Sequence, residues 1–258
     1  MSEKLEQAML EMRKINYVEV YEDGQEHVVS ERNHDLPQHE RQVLDALEKH
    51  GFIQYHKEHL SEDQKKKAER NAAVKKLIYE NDNSEVASLY PVEPGTFVHQ
   101  PCGTCRAPDV LIRDLDGRYL AIECKGGIKK NQNPTYNDSL PGRNTILIFT
   151  NDGEDRDTQT TFFLGRDIVD EKTRATFIAH NNMNRSVDEG FKGICDTAEN
   201  ECGFCPSSRP RICQMGPGEK TNPFRSAKRA QREQNVLDFA RNEIPKPQVL
   251  ESEQPVQI

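Results

Sequence analysis

The most chemically suggestive stretch of this 258-residue chain reads Pro108-Asp109, then thirteen residues, then Glu123-Cys124-Lys125. Two carboxylates brought close together repel, and one pKa rises unless a cation joins them. Oxygen ligands without His or Cys suit Mg²⁺ rather than zinc, and Mg²⁺ keeps several waters in its shell. One such water can act as a nucleophile. A neighbouring ammonium from Lys125 can orient it, help deprotonate it and stabilise the charge of a phosphorane. Asp109, Glu123 and Lys125 are therefore candidate catalytic residues for metal-assisted phosphodiester hydrolysis, with the two carboxylates as Mg²⁺ ligands.

A second chemistry lies in the cysteines. Six of the seven fall in two groups, Cys102-Gly-Thr-Cys105 and Cys202-Gly-Phe-Cys205 flanked by Cys195 and Cys213. A CxxC turn aims two sulfurs at one metal, so Cys102, Cys105, Cys202 and Cys205 can complete a structural Cys₄ zinc site. The rival arrangement is a local site of Cys195, Cys202, Cys205 and Cys213, with His99, Cys102 and Cys105 supporting another. The odd count and the lack of a secretory signal argue against disulfides. A metal here would staple the approach to Asp109 to the C-terminal region and offset a small apolar core.

The carboxylates meet only if the chain around them folds correctly. Val110-Leu-Ile112 and Leu120-Ala-Ile122 flank Asp116-Gly117, which predicts a β-hairpin. In a strand Glu123 and Lys125 share a face and Cys124 takes the other. A two-residue turn would set Asp109 against Cys124, on the wrong face. A three-residue loop, Leu115 to Gly117 with Gly117 left-handed, sets Asp109 against Glu123 and sends Val110, Ile112, Leu120, Ile122 and Cys124 to one apolar face. The chemistry thus predicts the three-residue loop.

Around that hairpin, Leu5, Met9 and Met12 suggest a short helix, and Tyr17 to Tyr21 a strand before Asp23-Gly24. A helix is predicted over Gln38 to His50, ended by Gly51, and another over Glu62 to Tyr79, capped by Ser61. Leu89 to Ala107 and Gly126 to Asn144 read as loops. Thr145 to Thr150 and Thr160 to Leu164 read as strands, Glu171 to His180 and Pro223 to Arg241 as helices, Gly193 to Met215 as a cysteine-rich loop, and the chain from Pro245 as a tail. The expected organisation is an acidic N-terminal region (1–60), a core (61–192), a cysteine-rich basic region (193–244) and the tail (245–258).

Pro108-Asp109, Glu123 and Lys125, with the apolar hairpin between them, resemble the PD-(D/E)xK nuclease motif, over about Glu62 to Leu164. The resemblance implies an α/β (α+β) fold, with a mixed central β-sheet flanked by helices and a restriction-endonuclease-like core. It also implies Mg²⁺ held by Asp109, Glu123 and the carbonyl of Cys124, with Lys125 as the catalytic lysine. The family often adds an acidic ligand from the preceding helix, for which Glu69, Glu80 and, on the earlier helix, Glu40 are candidates. One branch, repair exonucleases with an iron-sulfur staple, has a similar cysteine layout. The Gln-x-x-x-Tyr element expected there is not convincing in this chain, so zinc is preferred.

Lys129, Lys130, Asn131, Gln132, Asn133, Asn137 and Arg143 follow the motif. Lysines suit phosphates, and amides and arginine suit base edges. An insertion-rich core of this kind is similar to a type II restriction enzyme. That likeness implies double-stranded DNA as substrate, a homodimer for palindromic sites and a cognate methyltransferase acting on the same site. No nucleotide-binding loop of the Gly-x-x-x-x-Gly-Lys-Ser/Thr type occurs.

Composition sets the outer bounds. Hydrophobic residues are 34% and charged residues 30%, and no apolar run is long enough to span a bilayer, so a cytoplasmic protein with no membrane partner is expected. The net charge of -8 argues against a nucleic-acid partner until it is located. Residues 1–63 carry 15 acidic against 7 basic residues, the whole of that excess. From Pro206 to Arg232 seven basic residues face one acidic one, Glu219, leaving room for a local basic patch. Two other classes compete: a zinc-dependent DNA-binding protein that does not cut, and a cysteine redox protein. The second is disfavoured because neither CxxC opens a helix beside a βαβ unit.

Overall fold

Short apolar runs between positions 96 and 164, buried on both faces, form the strands that organise the rest of the molecule. The computed structural model describes residues 3–15, 18–20, 26–28, 38–56, 63–103, 107–127, 140–151, 160–195, 223–224 and 226–241. In chain order these form α1 (Glu3–Met12), β1 (Val18–Val20), β2 (Glu26–Val28), α2 (Gln38–Lys49), β3 (Ile53–Gln54), α3 (Gln64–Glu80), α4 (Ser84–Leu89) and β4 (Thr96–His99). They continue with β5 (Val110–Arg113), β6 (Tyr119–Gly127), β7 (Thr145–Asn151), β8 (Thr160–Leu164), α5 (Gly165–Ile168), α6 (Glu171–Cys195) and α7 (Arg229–Ala240).

β3 to β8 make one six-stranded mixed sheet in sequence order, and β1 and β2 form a separate antiparallel pair. The β3/β4 and β6/β7 pairs are parallel and the others antiparallel. Helices cover both faces. On one, Phe97, Val110, Ile112, Leu120, Ile122 and Cys124 pack with Leu5 and Met9 of α1, Val43 and Leu47 of α2, and Val236 of α7. On the other, Leu111, Tyr119 and Ala121 pack with Val74, Leu77 and Ile78 of α3 and Val86 of α4. Each large aliphatic or aromatic side chain so buried contributes roughly 2 kcal/mol.

Helices from distant parts of the sequence share the first face. Arg13 of the segment after α1 holds Glu233 of α7 at 2.7 Å, and Thr160 Oγ1 donates to the Ile15 carbonyl. Arg118, beside the hairpin loop, donates to the carbonyls of Phe239 and Ala240 at 2.6 Å each. The passage from β6 to its parallel neighbour β7 enters β7 beneath α3. A Cβ on Gly142 would stand 2.8 Å from Ile78 Cβ, and one on Gly165 would overlap the Gly142 carbonyl oxygen. Only glycines allow that crossing to close.

Several elements differ from their sequence readings. α3 is capped by Asp63, whose carboxylate accepts from Lys65 N at 2.7 Å, rather than by Ser61, which lies outside the described residues. α6 runs to Cys195 instead of stopping near His180, since no proline interrupts it. α7 begins at Arg229, with Pro223 and Phe224 in a preceding turn. The stretch expected as a loop from Leu89 to Ala107 contains β4, four residues between Gly95 and Pro101 that are too short to announce themselves by alternation. Among the described residues no helix is long and apolar enough to cross a membrane.

Candidate active site

The hairpin turns through three residues, Leu115 to Gly117. Asp114 N donates to the Arg118 carbonyl at 2.8 Å, Gly117 N donates to the Asp114 carbonyl at 2.9 Å, and Gly117 has φ +85°. Asp114 Oδ1 accepts from Leu115 N at 2.8 Å, which ties the loop's first corner. Val110 therefore pairs with Ile122, and one step further Asp109 stands opposite Glu123. The register that the chemistry demanded is the register present, and Val110, Ile112, Leu120, Ile122 and Cys124 share the apolar face as expected.

Asp109 Oδ2 accepts the Cys124 N–H at 2.7 Å, so the backbone between Glu123 and Lys125 holds the first carboxylate in place. Lys125 Nζ donates to Glu123 Oε1 at 2.5 Å. The two side chains are only 25% and 12% exposed, so this contact is shielded from solvent. Glu123 Oε2 is buried with no hydrogen-bond partner. A buried carboxylate oxygen without a partner costs free energy unless something positive approaches it.

Electrostatics mark the same point. Burial, then the charges of Glu123 and Glu40, push the Asp109 carboxyl up to about 8, against the weaker opposing pull of the Cys124 N–H and Lys125. Burial alone would lower the Lys125 ammonium, but Glu123's charge and hydrogen bond outweigh it and the pKa is raised. The Cys124 thiol is pushed up by burial and by the surrounding carboxylates, so it is a neutral packing group.

Of the three further acidic residues considered, Glu40 is the one near the site. It is buried on α2, its charge acts on Asp109 and Cys124, and its Oε1 lies 2.6 Å from His99 Nε2. Glu69 and Glu80 are exposed on α3. His99, which meets Glu40, was offered by the sequence only as a partner for cysteines. Once β4 is recognised, its register sets His99 beside Val110 on the face that α2 covers.

On the neighbouring strand Leu147 pairs with Glu123 and Phe149 with Lys125. Phe149 is fully buried and meets the Phe224 ring at 5.3 Å between centroids, while Arg229 lies over that ring. An apolar wall thus flanks the lysine and keeps its surroundings dry.

Among the described residues no three His, Cys, Asp or Glu side chains are gathered as a metal-holding group. A cation here would draw on two carboxylates, a backbone carbonyl and water, which is how Mg²⁺ is commonly held. The unpartnered Glu123 oxygen and the raised Asp109 fit such an ion. Of the candidate zinc ligands, Cys102 is buried and Cys195 closes α6, whereas Cys105, Cys202, Cys205 and Cys213 lie outside the described residues. So do Lys129, Lys130, Asn131, Asn133 and Asn137. Arg143 precedes β7 and pairs with Glu171 at 2.6 Å, four residues before the partner of Glu123. No family model, curated protein or solved structure matches this chain.

Proposed function

We propose that this protein is a Mg²⁺-dependent, site-specific endonuclease of the type II restriction class, with a PD-(D/E)xK core that hydrolyses phosphodiester bonds of double-stranded DNA. The reading is carried by one observation: the hairpin register sets Asp109 opposite Glu123, with a buried, unpartnered Glu123 oxygen and Lys125 beside it. A chance motif on a surface hairpin has no reason to bury two carboxylates and a lysine together.

Asp109, Glu123 and the carbonyl of Cys124 would hold the ion, which when bound neutralises the carboxylates and polarises phosphate oxygens and water. The Cys124 N–H fixes Asp109 for that task. Lys125, its pKa raised, stays an ammonium at neutral pH. It is a hydrogen-bond donor to non-bridging phosphate oxygens and stabilises the charge they gain as water adds to phosphorus and the sugar oxygen leaves. Its tether to Glu123 keeps it within reach of both water and phosphate. Phe149 and Leu147 limit competing solvent.

A homodimer acting on palindromic sites, contacts to bases through the segment around Lys129 to Asn137 and Arg143, a zinc staple at the cysteines and a partner methyltransferase belong to the same proposal. The test is incubation of the purified protein with phage-sized duplex DNA, in Mg²⁺ or in EDTA, read on a gel. Discrete Mg²⁺-dependent bands are expected. Smearing or end-shortening would replace the reading with a repair-type nuclease, and intact but retarded DNA with a binding protein that does not cut.

A further inference from the structure

We propose that the outward face of α6 is the surface through which two copies of this chain pair, with their helices antiparallel. The inference names the interface of the homodimer in the reading above and rests on that reading only for the expectation of two copies. The surface itself follows from α6, a helix of 25 residues and about 37 Å. Its first turn is anchored: Glu171 meets Arg143, and the Arg174 guanidinium donates to the Pro141 carbonyl at 2.9 Å and lies over the Tyr79 ring. Beyond that turn the usual polarity is inverted. Asn184 and Asp188 lie on the more shielded side, while Ile178, Met183 and Val187 are open to solvent at 52%, 69% and 52% exposure. These are three of the five exposed large apolar side chains among the described residues, gathered on one helix. A helix resting on a core turns its apolar side inward, and an apolar patch turned outward marks a surface that meets another molecule. Local propensity does not hold this stretch either, because Asn182, Asn184, Ser186 and Val187 are weak helix formers. Packing must sustain it.

The occupant follows from how the face changes along its length. Ala175 and Ala179 are exposed near its start, and Met183 and Val187 continue the same four-residue spacing. Such a row is one ridge of the helix. With a two-fold axis at position 181, an antiparallel second copy sets Ala175 level with Val187 and Ala179 level with Met183, large against small along the whole ridge. A parallel pair would crowd Met183 on Met183 and leave alanine facing alanine. Charge agrees with the antiparallel arrangement. Exposed Lys172 comes within one residue of the level of exposed Glu189 of the second copy, at both ends, and the two helix macrodipoles run opposed.

The test is sedimentation equilibrium of the full chain, without Mg²⁺ or DNA. The variants are Met183→Glu, Lys172→Glu, Glu189→Lys and the Lys172→Glu/Glu189→Lys double, each compared with the parent for helix content and thermal transition. The parent is expected to show a monomer–dimer equilibrium. Met183→Glu should weaken dimerisation by about a hundredfold or more, since two carboxylates enter one apolar ridge. Each single reversal should weaken it by about tenfold, because it creates two like-charge pairs per dimer. The double reversal should return close to the parent. Only antiparallel pairing predicts that rescue, as the two positions lie about five turns apart on one helix.

A parent that is monomeric at every concentration, a folded Met183→Glu that dimerises with unchanged affinity, or reversals that do not rescue one another would overturn the inference. So would a Met183→Glu chain of unchanged mass and lowered thermal transition, since the face would then be covered from within the chain. Cleavage plays no part in this readout. A dimer that does not cut DNA would end the nuclease reading and leave the interface standing, and a monomer that cuts would do the reverse.

Discussion

Replacing Asp109 by Asn should remove a pH dependence of stability that the metal-free fold carries. The Asp109 carboxyl stands at about 8 against an ordinary 3.8. A carboxyl whose folded pKa exceeds its unfolded value binds its proton more tightly in the fold, so low pH favours folding, and that advantage is lost as pH rises from about 4 to about 8. Between pH 5 and 7 the folded chain holds one more proton than the unfolded chain, a slope of about 1.4 kcal/mol per pH unit. Over two units this is roughly 3 kcal/mol, or about 6–12 °C in Tm for a chain of this size.

Thermal unfolding in EDTA should therefore show the parent losing Tm relative to Asp109→Asn across that interval. The amide cannot ionise, and its oxygen can still accept the Cys124 N–H. Mg²⁺ should flatten or reverse the parent's slope, because the cation binds the ionised form. Parallel Tm–pH curves for the two proteins in EDTA would refute the claim that Asp109 is held protonated by burial and its neighbours.

Lys125→Met should abolish DNA cleavage while Mn²⁺ and DNA binding persist, as read by resonance and gel retardation; residual cutting near the parent rate would remove Lys125 from the chemistry. Gly165→Ala should cost about 1–3 kcal/mol or more in a denaturant titration, since its new methyl meets the Gly142 carbonyl with no room to yield. Gly117→Val should destabilise the hairpin by about 1–2 kcal/mol, because φ +85° is a left-handed conformation that a β-branched residue resists. Cys202→Ser should lower zinc content and thermal stability together, and unchanged metal stoichiometry by mass spectrometry would refute the staple.

The hairpin was legible because two independent demands agreed on it. The carboxylates needed one face, the apolar residues needed the other, and only a three-residue loop met both. The strand over Thr145 to Thr150 and the helix over Gln38 to His50 were legible from ordinary patterning. β4 was not, because Thr96 to His99 offers too few residues for alternation to show and sits among prolines and glycines. His99 was hidden with it, for the Glu40 side chain it meets is 59 positions away in sequence. Nor could the sequence choose Glu40 over Glu69 and Glu80. All three are helical acids, and burial against the sheet end alone separates them. The end of α6 was misplaced: the helix was read only as far as His180, while it continues to Cys195 with no proline to stop it.

The sheet face that backs the site is closed by α1 from one part of the chain and α7 from another, joined by Arg13–Glu233 and by Arg118 reaching the carbonyls of Phe239 and Ala240. A growing polypeptide that has already emerged through position 195 therefore possesses Asp109, Glu123 and Lys125 but leaves Phe162 and Leu164 without their α7 cover. The strands pair with their sequence neighbours and can assemble first, whereas the Arg13–Glu233 contact, 220 residues apart in sequence, cannot form until α7 has been made. Synthesis itself therefore delays the closing of the sheet face behind Asp109, Glu123 and Lys125.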